Sequence, residues 1–535
     1  MSPSRITRRT FATALGLPLV IAPVLAACGG GSGGASTAEL KVGFPEDAKN
    51  YDPHQPPYTV ARAVARQIAD TLVDQDPESG KIVPWLAKSW EVSSDSSRFT
   101  FDLRDDVTFS DGIPFTATSV KNNLDRIRDL GALAYIGASH LRGYKETKVE
   151  GDHRATVVFD GPNAQFLQAA TTQTLSMLAD ATLKKKPEEV ARGEVIASGP
   201  YTLESYSAGK TLVLKKRKDY AWGSSAYQNQ GAAPFEQITI SFIPDATTLA
   251  GAVSSGQVDW AFGIDATASK SIGGRVTKIE KLYKGISVPL VPFIYRPIFE
   301  DEAVRRAINP ATDRKEIVER IFQGVGKPAT SVLTADTPGY ADLHELLAYD
   351  PDKAKQILED GGWKEGADGI RTKNGKPLRI EIKYSGSGTT SEQMFQLLQT
   401  QWKKVGIQLV LTPVTEAQLS EFSMHDAPYD LSTWSQGRAD PDVLRVVYSS
   451  FYENQSFFYE HPVPELDDAL LALQSTTDPD ERAAAAEKAQ RLILDGGYSF
   501  PLYDSVAISA GAKDITRVAL DAENKPAFAD FVRGK

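Results

Sequence analysis

A chain of 535 residues is too long for a single hydrophobic core, so two or more domains are expected. Its composition, 41% hydrophobic and 24% charged, is that of a water-soluble globular protein, and a formal charge of −10 argues against nucleic acid as a partner. Cys28 is the only cysteine, which excludes any intrachain disulfide and any CxxC metal or redox site.

The chain opens on Thr7-Arg8-Arg9-Thr10-Phe11, a twin-arginine pattern, followed by an apolar run over residues 12–27. That run is short and broken by Pro18 and Pro23, so it reads as the apolar core of a signal peptide and not as a membrane span. Leu25-Ala26-Ala27-Cys28 resembles a lipobox, in which small residues precede a cysteine that receives lipid. The competing reading is a buried cysteine near a ragged terminus. Residues 1–27 are therefore read as a twin-arginine lipoprotein signal peptide, and residues 28–38 as lipidated Cys28 on a Gly/Ser tether. Loss of a leader bearing Arg5, Arg8 and Arg9 takes the formal charge from −10 to −13. The expected location is the extracytoplasmic face of the cell membrane.

Residues 40–44 read as a first strand. Residues 58–73 have helical spacing, with Val60, Val64, Ile68 and Leu72 on one stripe. Phe99, Phe101, Leu103, Val107 and Phe109 then alternate with Thr100, Asp102 and Arg104, the period of a half-buried antiparallel strand. A polar turn at 93–97 joins it to a strand at 90–92, and Ser110-Asp111-Gly112 ends it. Thr118 or Ser119 is expected to cap a helix with Val120, Leu124 and Ile127 on its apolar face. Residues 147–159 alternate again around a hairpin turn at Gly151-Asp152. Strands follow at 201–205, 210–217 and 237–242, with Lys215-Lys216-Arg217-Lys218 as the wet end of the second, and a helix over 245–256.

A second α/β region begins with a helix over 302–309 stopped by Pro310. Asp313 and Glu316 form a capping-box pattern for the next helix. A strand at 378–384, an amphipathic helix at 391–404 and a strand at 406–411 give a βαβ order, a sheet with helices packed on it. A last helix over 480–494 precedes Pro501-Leu502-Tyr503.

Motifs of catalysis are absent or broken. Residues 30–34 fit GxSxG only inside the tether, where no strand or helix surrounds them. His344-Glu345 starts like HExxH but lacks the second histidine. The six histidines, at 54, 140, 153, 344, 425 and 461, have no ligand spacing and read as surface or satisfied side chains. Neither an enzyme, a metal site nor a cofactor is expected.

The order PWLAKSW, a polar turn, then FTFDLRDDVTFSDGIPFTATSV resembles the signature of family 5 extracytoplasmic solute-binding proteins, the dipeptide, oligopeptide and nickel receptors of ABC importers. Further landmarks are similar in the expected order: Tyr51-Asp52-Pro53-His54, Ser198-Gly199-Pro200-Tyr201, VRRAINPATDR at 304–314, and the stretch from Tyr349-Asp350-Pro351 to Trp363. The resemblance implies an α/β, two-lobed periplasmic-binding-protein type II fold with a discontinuous first lobe, an inserted α+β subdomain and a hinged cleft. On it, lobe 1 takes residues 39–80, 197–285 and 502–535, the inserted subdomain 81–196, and lobe 2 residues 286–501.

In the family the loop after the tryptophan of YDLSTWSQGRADPD, residues 429–442, lines the cleft. In its peptide receptors an aspartate there meets the ligand's ammonium. Here that position falls on Gly437, and Arg438 follows. Arg438 is read as facing a ligand carboxylate, since its planar fork suits bidentate contact; the alternative places Trp434 in the core and Arg438 on the surface. The expected ligand-binding residues are Trp434, Gln436, Arg438, Tyr58, His54 and Tyr384. The resemblance implies a monomeric, lipid-anchored receptor passing a peptide-like solute to ABC permease and ATPase subunits. An opine-type or metal-chelate anion is the close alternative, and a secreted lipoprotein hydrolase a more distant one.

Overall fold

The computed structural model of the chain describes residues 38–55, 59–386, 390–422, 426–433, 435–452 and 456–534. Its first lobe is laid around Glu39–Phe44, whose Leu40, Val42 and Phe44 point into a core. This strand pairs in parallel with Gln237–Phe242 on one side and Trp260–Phe262 on the other. Antiparallel neighbours extend the sheet to seven strands, with Val506–Ala512 and Val276–Leu282 beyond one edge, Thr211–Lys216 and Tyr201–Ser207 beyond the other. The helix Thr59–Ile68 buries Val60, Val64 and Ile68 in the same core. Ala246–Ser255 is a helix capped by Asp245, which accepts from Thr248 N at 2.7 Å, and it ends at Gly256, whose φ of 77° suits a residue without a Cβ.

The inserted subdomain is an antiparallel sheet in the order Ala87–Val92, Arg98–Leu103, Arg154–Phe159, Tyr144–Val149. Phe99, Phe101 and Leu103 face its core, beneath the helix Ala117–Leu130. That helix is capped at Thr116, two or three residues earlier than the sequence suggested. Thr116 keeps an extended backbone after Pro114, and its N–H donates to Ser119 Oγ at 3.2 Å, so Ser119 stands inside the first turn. The core draws Tyr220 and Trp222 from beyond the segment expected to form it. Arg217 is likewise not at a wet strand end: it is buried over the Trp222 ring and donates to the carbonyls of Thr108, Phe109 and Ser198. The carbonyls of Phe109 and Ser198 also accept from Gly112 N and Trp222 Nε1, so the guanidinium adds a further bond to an already paired turn.

The second lobe is built on a six-stranded sheet in the order Lys327–Pro328, Phe500–Asp504, Val288–Pro292, Leu431–Thr433, Arg379–Ser385, Gln408–Val414. The helix Thr390–Lys403 joins the last two, which run parallel. Glu302–Ala311 carries Pro310 inside its last turn instead of stopping before it, where a missing N–H costs one hydrogen bond.

Phe500–Asp504 pairs with Val288–Pro292, so it belongs to the second lobe, and the return to the first lobe comes at Ser505, not at 502. The two crossings run side by side. Leu282 pairs with Val506 in the first sheet, and Val288 pairs with Tyr503 in the second. Between them Tyr283 N donates to Ser505 O at 3.1 Å, and Ser287 Oγ donates to Asp504 Oδ1 at 2.6 Å. Two adjacent single-strand crossings between packed lobes form a hinge.

Candidate ligand cleft

The loop that returns from the strand Leu431–Thr433 is held against the hinge. Gly285 and Gly437 form an isolated antiparallel bridge, Ile286 N donates to Gln436 O at 3.1 Å, and Arg438 N donates to Lys284 O at 3.0 Å. This brings residues 435–438 to the mouth of the cleft, opposite the subdomain.

Direct contacts close the cleft from both walls. Arg438 is 3% exposed, and each of its three nitrogens has a protein partner: Nε donates to Gln168 Oε1 at 3.2 Å, Nη1 to Asp442 Oδ2 at 3.1 Å, and Nη2 to Gln165 Oε1. Gln168 and Gln165 belong to the subdomain, Asp442 to the second lobe. Gln75 Nε2 donates to Ala439 O at 3.0 Å, and Gln168 donates to Gln75 Oε1. Further along, Tyr452 OH donates to Ser139 O at 2.8 Å, its ring lying between Arg142 and Arg445. Asp442, fully buried, accepts two bonds from Arg445 at 2.7 and 2.8 Å besides that of Arg438. Burial alone would raise the Asp442 carboxyl, but the two guanidiniums hold it below the usual carboxylate range.

Between these walls lies a cavity of about 200 Å³, whose lining includes Arg62, His140, Thr174, Gln436, Arg438 and Glu523. Three of its lining residues each carry a buried polar atom with no hydrogen-bond partner: Arg62 Nε, His140 Nδ1 and Gln436 Oε1. A buried polar atom without a partner is costly, which marks the place where a bound molecule would complete the bonds. Arg62 Nη1 donates to Glu523 Oε2 at 3.2 Å, and Lys525 pairs with the same carboxylate. Burial pushes Glu523 up, but Lys525 and Arg62 outweigh it and bring it down to about 2, so it is anionic. His140 is held well below the ordinary histidine value by burial and by Arg438, so its imidazole is neutral.

Of the residues expected at the site, Gln436 and Arg438 line this cavity, and Arg438 spends its fork on protein partners there. Trp434 and Tyr58 lie outside the described residues, as does Cys28. His54 is placed elsewhere. It is fully buried in the first lobe, with Nε2 donating to Ser176 O at 2.9 Å and Nδ1 accepting from Arg126, whose guanidinium also grips Asp52. Burial and Arg126 lower it to about 4, and every ring nitrogen is used. Tyr384 packs in the second-lobe core with its ring 5.2 Å from that of Phe395, because its strand alternates that face inward. Arg62, His140 and Glu523 were not singled out as ligand residues. The one local signal is Arg62 and Arg66 a helical turn apart in the helix Thr59–Ile68. Among the described residues there is no group of three or more His, Cys, Asp or Glu side chains placed to hold a metal, and no helix long and apolar enough to cross a membrane.

The Nickel-binding periplasmic protein of Escherichia coli (strain K12) is 27% identical over 394 residues, covering 72% of this chain and 73% of that one. The Glutathione-binding protein GsiB of the same strain is 25% identical over 542 residues, covering 96% of both. The solved structure of NikA from Brucella suis in complex with Fe(III)-EDTA has the same fold, with a TM-score of 0.79 at 24% identity, covering 92% of this chain and 99% of that one. AppA from Bacillus subtilis, solved with a nonapeptide, shares it with a TM-score of 0.74 at 20% identity, over 93% of this chain and 99% of the other. Residues 81–458 match the family described as bacterial extracellular solute-binding proteins, family 5 Middle, and the chain belongs to that family of substrate-binding proteins of ABC importers.

Proposed function

We propose that this protein captures a small peptide-like solute between its two lobes and presents it, unchanged, to a membrane permease, while Cys28 carries the lipid that anchors it outside the cell. The observation that carries the reading is the cavity of about 200 Å³ closed by both lobes, with unpartnered polar atoms contributed from each wall. Arg62 and His140 stand on the first-lobe side and Gln436 on the second, so a molecule bonding to both would stabilise the closed hinge over an open one. A site of this size suits a ligand smaller than the drug-sized molecules that fill pockets of about 300–1,000 Å³. The nickel-binding relative and the related structure solved with Fe(III)-EDTA keep a metal-chelate anion as the second reading, favoured by Arg62 and Arg438 on the cavity lining.

Native mass spectrometry of protein purified from its own cells, followed by thermal melting with the released solute, tests the reading. A solute recovered with unaltered mass that raises the melting temperature in proportion to log concentration supports it. Turnover of that solute by the protein would replace the receptor role with a catalytic one.

A further inference from the structure

Resting on the receptor reading above, we infer that Arg62 selects the anionic group of the solute, and that the solute is a small carboxylate bearing an amide or amine N–H close by. The charge balance around the cavity points there first. Arg438 and Arg445 share the single carboxylate of Asp442, and Arg62 and Lys525 share that of Glu523. The nearby acids are already engaged: Asp440 accepts two bonds from Arg482, while Asp74 and, at 4.0 Å, Asp521 face Arg66. On the cavity lining itself the charged side chains are two cations, Arg62 and Arg438, and one carboxylate, Glu523. One positive charge is unmatched among these groups, which suits a monoanion.

The orphaned atoms then say where that anion sits and what accompanies it. Arg62 Nε is buried and without a partner, while Nη1 of the same guanidinium is fixed on Glu523 at 3.2 Å. Glu523 thus orients the plane of the fork and leaves the Nε side for a ligand oxygen, the side on which a carboxylate makes parallel bonds. Arg438, by contrast, already bonds through all three nitrogens. The assignment of the carboxylate therefore moves from Arg438 to Arg62. Gln436 Oε1, across the cavity, accepts only, so its partner is a donor on the solute. Neutral His140 offers Nδ1 as acceptor or donor according to its tautomer and fits either end. A carboxylate and an N–H within a cavity of about 200 Å³ describe a dipeptide or an N-acylated amino acid.

The experiment uses calorimetric titration with matched probes: Ala-Ala, Ala-Glu and N-acetylalanine, each beside its C-terminal amide. The proteins are wild type, Arg62→Gln and Arg62→Lys, with a melting curve for each, and the solute released from wild type on denaturation is identified. The expected result is an acid that binds wild type at least about tenfold more tightly than its amide. Arg62→Gln should lose about thirtyfold or more for the acid, the lower end of what truncating one partner of a buried charge pair costs, and lose the preference over the amide. Arg62→Lys, which keeps the charge, should recover part of it and guards against a loss due to misfolding. Acid and amide bound alike by wild type, an equal loss of both in Arg62→Gln, or a cationic released solute would overturn the role of Arg62 and leave the receptor standing. Wild-type protein that releases no solute and binds none of the probes would overturn the receptor reading, and this inference with it.

Discussion

Gly285 of the hinge and Gly437 of the cleft loop are bridged backbone to backbone, so the strand that bends between the lobes is the one that holds the ligand loop. Gly285 has φ of 126°, and a Cβ there would lie 2.2 Å from Gln436 O. Both facts exclude a side chain, the first by backbone strain and the second by contact with a carbonyl that cannot step aside. Gly285→Ala is expected to destabilise the fold by about 1–3 kcal/mol from the strained conformation alone. It should also weaken ligand binding beyond that of a control such as Gly112→Ala, where φ is 84° but open space surrounds the Cβ. Melting temperature and titration of the two variants separate strain from displacement of the loop.

The hinge also carries a pH dependence whose sign is fixed by burial. Asp504 is pushed up to about 6 by burial, against the opposing bond from Ser287, and Asp70, bonded by Trp222 and Tyr220, is pushed up to about 7 in the same way. An unfolded aspartate titrates near 3.9, so between about pH 4 and 7 the folded chain holds protons that the unfolded chain has lost. Stability from these two groups is present below that window and falls as pH rises through it. Asp504→Asn should remove its share of the decline, up to about pH 6, and Asp70→Asn its own share, up to about pH 7, measured as melting temperature against pH for each variant minus wild type. Unchanged slopes would place both carboxylates outside the titration.

What could be read from the sequence was what repeats locally. The alternation of Phe99, Phe101 and Leu103 and the cap at Asp313 depend on neighbours a few residues away, and they stand where those patterns put them. The cleft is of another kind. Gln436 meets Arg62, His140 and Glu523 only when the lobes close, and nothing in the residues beside each one encodes the meeting. His140 looked like one of six scattered histidines because Arg62, Arg438 and Glu523, which share its cavity, come from distant parts of the chain. Arg438 was visible as an arginine in a polar loop, but Gln165 and Gln168, which engage it, lie in a segment with no pattern of its own.

Membrane attachment is expected to depend on Cys28, the only cysteine of the chain. Two acyl signals give stable anchoring where one chain is marginal, so replacing the acceptor should release the protein outright. Cys28→Ala, expressed in the native host, should move from the membrane to the soluble fraction or accumulate as precursor, without incorporating labelled fatty acid. A variant that stays in the membrane with the same gel mobility and the same label would end the lipoprotein reading.

Arg438 is expected to act on closure before it acts on the ligand. Its three bonds join the second lobe to Gln165 and Gln168 of the subdomain, and it shares Asp442 with Arg445. Removing it leaves Asp442 one guanidinium instead of two and leaves both glutamine oxygens without that partner. Hydrogen bonds to charged groups contribute about 1.5–3 kcal/mol each, and Arg445 retains part of the pairing, so a loss of about 2–4 kcal/mol of closed-state stability is expected for Arg438→Ala. That is enough to shift a two-state hinge toward its open form without ligand. Arg438→Lys should restore the charge toward Asp442 but not the reach to both glutamines. Small-angle X-ray scattering of ligand-free wild type, Arg438→Ala and Arg438→Lys reads this directly: the radius of gyration should grow in the order wild type, lysine, alanine. The acid-over-amide preference of the site should survive in Arg438→Ala, because that preference belongs to Arg62. A radius unchanged in Arg438→Ala, together with loss of the preference, would return the ligand carboxylate to Arg438.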